Sequence, residues 1–190
     1  MARVRTFIGV ELGDDIRDRA VALQQALAKT GAAVNWTAPG NFHLTLLFLG
    51  EVGTSDLPAV CRIVAAVAAT EPPFAVGVSG VGAFPNVRRP KTLWAGITDG
   101  AAELIRLHDA LEQPLLELGC YRREDRAYTP HLTLGRVKSD EDGTKLAPEL
   151  PKHLGWSGGQ TTVTEVVLFS SELRRAGPEY TALGRGPLRG

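Results

Sequence analysis

Residues 41–50 read NFHLTLLFLG and residues 128–137 read YTPHLTLGRV, so the four letters HLTL occur twice in the chain. Within each copy leucines alternate with a histidine and a threonine. This alternation predicts a β-strand with one apolar and one polar face, because successive side chains of a strand point to opposite sides. We expect the leucines to lie in the core, with the histidine and the threonine about 7 Å apart on the opposite face.

The repetition of the motif is informative because chance explains it poorly. The chain has four histidines among 190 residues, and composition gives odds on the order of one in a thousand that two of them begin such a pattern. Each histidine could instead be a hydrogen-bonded core residue with a threonine at a convenient strand position. That explanation does not account for the second copy.

The segments before the two motifs follow the same order. A β-rich segment (5–12) precedes a helical segment (13–31), and a second β-rich segment (91–100) precedes a second helical one (101–119). Both helical segments carry apolar residues at helical spacing. The shared order predicts one internally duplicated, bilobal α+β domain over residues 1–190. We expect two mostly antiparallel sheets that line a central groove, with helices packed outside.

Further helices and strands are predicted outside the duplicated segments. The sequence predicts a helix within 56–74, a strand at 74–85, one strand at 161–173, and a last strand or tail over 179–190. The polar, turn-rich stretch 138–160 is typical of a loop and linker.

Composition limits the possible partners and compartments. Lys and Arg total 21, as do Asp and Glu, so no overall field attracts long nucleic acid or an anionic membrane. Cys61 and Cys120 lack metal-ligand spacing and are expected to be reduced thiols. The N-terminus has too short an apolar run for a signal peptide. A cytoplasmic protein without a membrane or obligate protein partner is expected.

The polar faces of the two motifs suggest a reaction. If the lobes face each other, His43, Thr45, His131 and Thr133 converge on one groove. Two imidazoles that titrate near neutrality can act as a base and an acid together, and two hydroxyls can hold an oxyanion. This set suits hydrolysis of a phosphodiester, and a strained cyclic phosphate that needs no metal fits best.

Motifs along the chain resemble those of a known family. HLTLLFLG (43–50) and PHLTLGRV (130–137) are similar to the paired His-x-Thr-x motifs of the two-histidine phosphoesterase superfamily. RTFIGVEL (5–12), GVGAFPNVRRPKTLWAGI (80–97) and VVLFSSELRRAGPEYTAL (166–183) extend the resemblance to its RNA 2′,3′-cyclic phosphodiesterase branch, also called 2′-5′ RNA ligases. The resemblance implies opening of a terminal 2′,3′-cyclic phosphate to a 2′-phosphate without a cofactor, and weak reverse ligation in some members.

The resemblance also implies roles for individual residues. His43 and His131 match the catalytic histidines, with His131 as general base and His43 as general acid. Thr45 and Thr133 match the phosphate-binding hydroxyls. The near-identical motifs do not by themselves decide which histidine is the base.

Two further positions are related by the repeat. Arg136 matches a phosphate-binding arginine of the family, and Phe48 stands at the same distance after His43. Strict alternation points Arg136 away from the histidine face, so it reaches the groove only if the strand bulges near Gly135. Otherwise it is a solvated cation. Phe48 either stacks on a base or lies in the core.

Alternatives remain open at this stage. A zinc hydrolase is disfavoured because no Asp, Glu or Cys has ligand spacing near either motif. A non-catalytic module that binds RNA ends, or a phosphodiesterase for another cyclic or 2′-5′ phosphodiester, is also compatible. The expected partner is an RNA 3′ end or a nucleotide with a 2′,3′-cyclic phosphate. The sequence does not assign Arg88, Arg89, Lys91 or Tyr180.

Overall fold

The computed structural model describes residues 2–175 and 177–190. Its strands are β1 (Arg3–Glu11), β2 (Val34–Trp36), β3 (His43–Gly53), β4 (Phe74–Phe84), β5 (Thr92–Ile97), β6 (His131–Val137), β7 (Ser157–Val163), β8 (Glu165–Arg174) and β9 (Gly177–Pro187). Its α-helices are α1 (Asp14–Ala28), α2 (Leu57–Ala68), α3 (Ala101–Glu117) and α4 (Asp140–Leu146). Two short 3₁₀ helices cover Pro39–Asn41 and Leu150–His153.

The strands form one hydrogen-bonded path in the order β7-β4-β5-β6-β3-β1-β8-β9, with β2 added to β6. Every pairing is antiparallel. The two motif strands, β3 and β6, meet at the centre of this path. A single backbone pair, Leu44 with Leu132, joins them. The sheet therefore consists of two halves with a narrow junction, four strands on the β3 side and five on the β6 side. The predicted α+β class with antiparallel strands is confirmed, and the two expected sheets are joined into one.

The helices connect the two halves. Helix α1 follows β1 in the chain but packs on β7, at the far edge of the other half. Helix α3 follows β5 and packs on β3 and on α2, while α2 covers β8 and β9. Each of α1 and α3 thus lies against strands of the half to which its preceding strand does not belong. The two halves share one core and cannot be separated without exposing it.

The core contains the leucines that the two motifs predict. Leu44 and Leu132 are fully buried, and so are the apolar stripes of α1 and α3. Burial of a leucine side chain stabilises the fold by about 1.5–3 kcal/mol. The period-2 and period-3.6 patterns therefore identified the core faces of these elements correctly.

Two predicted segments differ from the structure. The stretch 138–160 is not a plain loop, because it contains α4, a 3₁₀ turn and the start of β7. Ser139 caps α4 by accepting a hydrogen bond from the Asp142 backbone at 3.1 Å, and the Asp142 carboxylate accepts one from the Ala33 backbone at 2.8 Å. Such distant contacts stabilise a helix too short to be stable on local propensity.

The second difference concerns residues 161–173, which belong to two strands and not to one. At Thr164 the chain passes from one half of the sheet to the other, so that β7 pairs with β4 and β8 pairs with β1. The β-forming residues continue without interruption through this crossing, so the sequence does not mark it. The tail over 179–190 is mostly strand, because β9 pairs along the length of β8. Within the described residues, no helix is both long and apolar enough to cross a membrane.

Candidate active site

The polar faces of the two motifs lie side by side at the central junction. His43, Thr45, His131 and Thr133 are all partly buried, on the face opposite the buried leucines. Antiparallel register about the Leu44–Leu132 pair puts each histidine level with the threonine of the other motif. The four predicted side chains therefore share one groove.

The hydrogen bonds of His43 define its tautomer. Its Nδ1 lies 2.7 Å from the Asn41 carbonyl oxygen, which only accepts, so Nδ1 carries a proton and donates. Its Nε2 lies 2.8 Å from the Thr45 hydroxyl oxygen. In the neutral imidazole Nε2 accepts a hydrogen bond from the hydroxyl, whereas in the imidazolium it donates one to the same oxygen. The state of His43 thus sets the direction of the Thr45 hydroxyl.

His131 has the same backbone anchor but a different partner at its other nitrogen. Its Nδ1 donates to the Thr129 carbonyl oxygen at 2.8 Å, again two residues before the histidine. Among the described residues, its Nε2 has no hydrogen-bond partner. In the neutral ring, the Nε2 lone pair is therefore available to accept a proton or a hydrogen bond in the groove. Both histidines are held by a backbone carbonyl at Nδ1, but only His43 has a hydrogen-bond partner at Nε2 among the described residues.

Both histidines are more easily kept neutral than in water. Burial lowers the pKa of His43, a change that the Asn41 carbonyl partly opposes and the nearby charge of His131 adds to. Burial also lowers the pKa of His131, with the Thr129 carbonyl opposing and the charge of Arg136 adding to the effect. Burial thus lowers both pKa values from the ordinary histidine value, which favours the neutral form of each imidazole.

Aromatic rings surround His43. The Phe7 ring lies 4.7 Å from the imidazole, and the Tyr180 ring meets it edge-on at 5.3 Å. Phe169 stacks on Phe7 at 5.0 Å and completes this wall. Burial raises the pKa of Tyr180, and the charges of Arg136 and Arg5 oppose that rise. Tyr180, unassigned from the sequence, therefore packs against a predicted catalytic residue.

His131 has a smaller aromatic neighbourhood on the other half of the sheet. Phe84 meets its ring edge-on at 5.0 Å, and Trp94 lies 5.4 Å from Phe84. Gly82 makes room for the indole, because a Cβ at that position would lie 2.2 Å from a Trp94 ring carbon. The tryptophan is therefore held in a fixed place beside the second motif.

A β-bulge redirects the strand after each motif. In β6 the partners step from Trp94–Thr133 to Leu93–Gly135, which leaves Leu134 as the extra residue. In β3 they step from Gly9–Thr45 to Ile8–Leu47, so Leu46 is extra at the same place in the motif. Each extra residue shifts the alternation by one. Residues three beyond each threonine return to the groove face.

Arg136 reaches the groove face by this bulge. Its Nη1 donates to the Thr92 hydroxyl at 3.2 Å, and Thr92 shares its face with Trp94. The guanidinium is exposed, and its charge lowers the pKa of His131. The bend anticipated near Gly135 is present, which removes the objection from strict alternation.

Phe48 occupies the corresponding place after the first motif. Its side chain is 51% exposed, and its ring lies 5.9 Å from Phe7 at the end of the aromatic wall. The alternative that Phe48 is a core residue is therefore wrong. One lobe presents an exposed aromatic ring where the other presents an arginine.

The basic loop between β4 and β5 is exposed. Arg88, Arg89 and Lys91 all face solvent, and the Asn86 side chain holds the loop by accepting from the Arg88 and Arg89 backbones at 3.0 and 3.1 Å. Among the described residues, none of the three cations forms an ion pair. The loop joins the strands that carry Phe84 and Trp94, so its charge lies on the His131 half.

A cavity of about 320 Å³ opens beside His43. Its lining includes Asn41, Phe169, Tyr180, Arg17 and Arg185. This volume is at the low end for sites that bind small molecules. The cavity thus lies next to the His43 imidazole, on the aromatic side of the ring.

Two residues that the sequence did not single out donate hydrogen bonds to backbone carbonyls of the motif strands. The Tyr128 hydroxyl donates to the Thr45 carbonyl oxygen at 2.9 Å, and its ring stacks on His108 at 4.3 Å. The Gln24 side chain donates to the Leu134 carbonyl oxygen at 2.8 Å. Neither residue has a local sequence signal, because each of these two hydrogen bonds spans more than 80 residues. Among the described residues, no three His, Cys, Asp or Glu side chains are grouped as metal ligands.

Two strand-borne His-x-Thr-x motifs on one groove define the class of two-histidine phosphoesterases. Within that class the chain belongs to the 2′-5′ RNA ligase superfamily, whose model matches residues 13–175.

Individual relatives cover nearly the whole chain. It is 35% identical to the RNA 2′,3′-cyclic phosphodiesterase of Methanothermobacter thermautotrophicus over 179 residues, which are 94% of this chain and 96% of the relative. The crystal structure of TT0787 of Thermus thermophilus superposes with a TM-score of 0.81 at 30% identity, covering 98% of each chain. E. coli LigT complexed with 3′-AMP gives a TM-score of 0.75 at 26% identity and 99% coverage of each.

Proposed function

We propose that the protein hydrolyses the 2′,3′-cyclic phosphate at an RNA 3′ end to a 2′-phosphate, by general acid and base catalysis between His43 and His131. The observation that carries the proposal is the pair of imidazoles on one groove, one with an open Nε2 and one bonded to a threonine hydroxyl. The activity named for the Methanothermobacter relative supports the choice of substrate.

The open nitrogen suits His131 to the role of base. Its Nε2 accepts a proton from water while the water oxygen bonds to phosphorus. The Nδ1 hydrogen bond to the Thr129 carbonyl holds the ring in the tautomer that this transfer needs, and it stabilises the imidazolium that forms.

His43 then supplies the proton that the leaving group needs. As the bond between phosphorus and the 3′-oxygen breaks, Nε2 of the imidazolium protonates that oxygen, and the products are a 2′-phosphate and a free 3′-hydroxyl. Burial lowers the pKa of His43, but an anionic phosphate in the groove favours the charged ring and raises that pKa on binding. Substrate binding therefore charges the acid.

Hydroxyls and one cation hold the phosphate in this proposal. Thr45 and Thr133 line the groove between the imidazoles, and Arg136 is exposed on the same face. When His43 is protonated, its Nε2 no longer accepts a hydrogen bond from Thr45, so the threonine hydroxyl is free to donate to a phosphate oxygen. Charge-assisted hydrogen bonds of this kind are about twice as strong as neutral ones.

Phe48 is proposed to stack a base. Its ring is half-exposed at the end of the wall formed by Phe7, Phe169 and Tyr180. Aromatic stacking is tolerant of base identity and contributes about 1–3 kcal/mol per base. The basic side chains of Arg88, Arg89 and Lys91 are available to phosphates on the other half.

We propose further that the domain arose by internal duplication and is cytoplasmic. Each motif strand pairs with the strand that opens its repeat, β3 with β1 and β6 with β5, and both motifs are followed by a bulge at the same place. The two cysteines are unpaired, which is usual in reducing compartments.

The test is hydrolysis in excess EDTA of nucleoside 2′,3′-cyclic monophosphates and of a short RNA with a cyclic phosphate end, with product isomers resolved. We expect turnover to the 2′-phosphate, lost in His43→Ala and in His131→Ala. His153→Ala, which removes a histidine of the 3₁₀ turn outside the groove, serves as the control.

Other outcomes identify other functions. Loss of wild-type activity in EDTA would favour a metal enzyme. Tight binding of the RNA end without turnover would favour a binding module, and preference for another 2′-5′ or cyclic phosphodiester would replace the substrate.

A further inference from the structure

Gln24 is a polar residue in the apolar face of α1. Its side chain is only 7% exposed, among neighbours such as Leu23 and Leu27. The amide nitrogen uses both of its hydrogens, donating to the Leu134 carbonyl oxygen at 2.8 Å and to the Thr37 carbonyl oxygen at 2.9 Å. A buried amide of this kind needs such partners to be tolerated at all.

Its two partners meet at the bulge of β6. Leu134 is the extra residue that shifts the alternation after the second motif. Beyond this residue β6 pairs with β2 through Trp36–Gly135, Asn35–Arg136 and Val34–Val137, and Thr37 follows directly after β2. The Leu134 oxygen also accepts from the Thr37 backbone at 3.0 Å. Gln24 therefore ties the end of β2 to the bulge from the side of the helix.

The bulge decides which way Arg136 points. Leu132 and Leu134 are both buried, so an unbulged continuation would send Arg136 to the core face with them. Gly135 keeps the arrangement compact, because a Cβ there would lie 2.8 Å from a Val34 methyl and 3.1 Å from the Asn35 oxygen. The close packing of β2 on β6 and the shifted side-chain alternation of β6 thus occur at the same residues.

We propose that Gln24 is a positioning residue that holds the β6 bulge and so aims Arg136 at the phosphate in the groove. The inference rests on the proposed function only in naming a phosphate group as the ligand of Arg136. Binding of inorganic phosphate tests the role of Gln24 without requiring catalysis. Gln24 acts through Arg136 and does not touch the substrate.

The test compares Gln24→Met with Arg136→Ala and with the double variant. Methionine retains the length of glutamine and removes both donors. Gln25→Met is the matched control, because the adjacent glutamine is exposed on the same helix. For each variant we would measure thermal unfolding, the dissociation constant for inorganic phosphate, and kcat and KM on a nucleoside 2′,3′-cyclic monophosphate.

We expect Gln24→Met to weaken phosphate binding about tenfold or more, the loss typical of a hydrogen bond to a charged group. The effect should equal that of Arg136→Ala, and the double variant should bind no more weakly than Arg136→Ala alone. Gln25→Met should bind as wild type. If Gln24→Met does not fold, Gln24→His retains one donor, and we expect it to fall between wild type and Arg136→Ala.

Two results would overturn the proposal. One is wild-type phosphate affinity in a folded Gln24 variant, and the other is a loss that adds fully to that of Arg136→Ala, since an additive effect indicates a general structural role. A wild-type protein that binds phosphate but does not hydrolyse the cyclic substrate would refute the proposed function and leave the role of Gln24 testable by binding.

Discussion

Replacing Thr45 by valine removes one hydroxyl from the groove and leaves the shape of the side chain nearly unchanged. That hydroxyl lies 2.8 Å from His43 Nε2. In the proposed reaction it turns to a phosphate oxygen once His43 is charged. The substitution therefore removes a donor that is needed most in the transition state.

The size of the effect follows from the charge on its partner. A hydrogen bond to a charged group contributes about 1.5–3 kcal/mol, and each 1.36 kcal/mol is about tenfold in rate. We expect kcat/KM to fall by roughly 10–150-fold. The resting hydrogen bond to neutral His43 contributes only about 0.5–1.5 kcal/mol to the free energy of unfolding, so the folded state should persist.

Steady-state kinetics on a nucleoside 2′,3′-cyclic monophosphate and urea unfolding measure the two effects separately. Thr133→Val is the comparison, because no hydrogen bond is found between Thr133 and His131 among the described residues. An activity within threefold of wild type in a folded Thr45→Val protein would refute the assigned role of the hydroxyl. A large loss of stability would show instead that the resting contact is structural.

Three further predictions concern pH, packing and base binding. The pKa values of His43 and His131 lie below the unfolded value of about 6.5, so the free energy of unfolding should be at its full value above pH 6.5 and decline below it, as the unfolded chain takes up protons. Catalysis needs one of the two histidines charged and the other neutral, and in the free enzyme this state is populated mainly below about pH 6.5. We therefore expect kcat/KM to peak below about pH 6.5, and a peak above pH 7 in a pH–rate profile would contradict the assignment. Leu132→Ala, at the single pair that joins the sheet halves, should cost about 2–5 kcal/mol in urea unfolding; a cost under about 1 kcal/mol would mean that the junction is not tightly packed. Phe48→Ala, at a half-exposed side chain, should weaken binding of a cyclic-phosphate RNA by about 1–3 kcal/mol while leaving inorganic phosphate affinity unchanged, and equal losses for both ligands would refute stacking.

Much of the site was predictable because the motif is local. A strand alternates with period two, so HLTL alone separates Leu44 from His43 and Leu132 from His131, and burial follows that separation. The helical stripes of α1 and α3 were predictable for the same reason. In contrast, the sequence does not predict α4 or the division of 161–173 between β7 and β8, because both depend on tertiary partners more than on local periodicity.

The sequence by itself determined which residues are candidates for the chemistry and on which face of a strand they lie, since both follow from side-chain type and from the geometry of an extended backbone. Only the tertiary structure decided that the motif strands meet at one backbone pair, that Tyr180 packs on His43, and that bulges return Arg136 and Phe48 to the groove. Each of these depends on residues far apart in the chain, such as Gln24 and Leu134. Local propensity does not specify such contacts, because they form only when the helices and strands pack around a shared core.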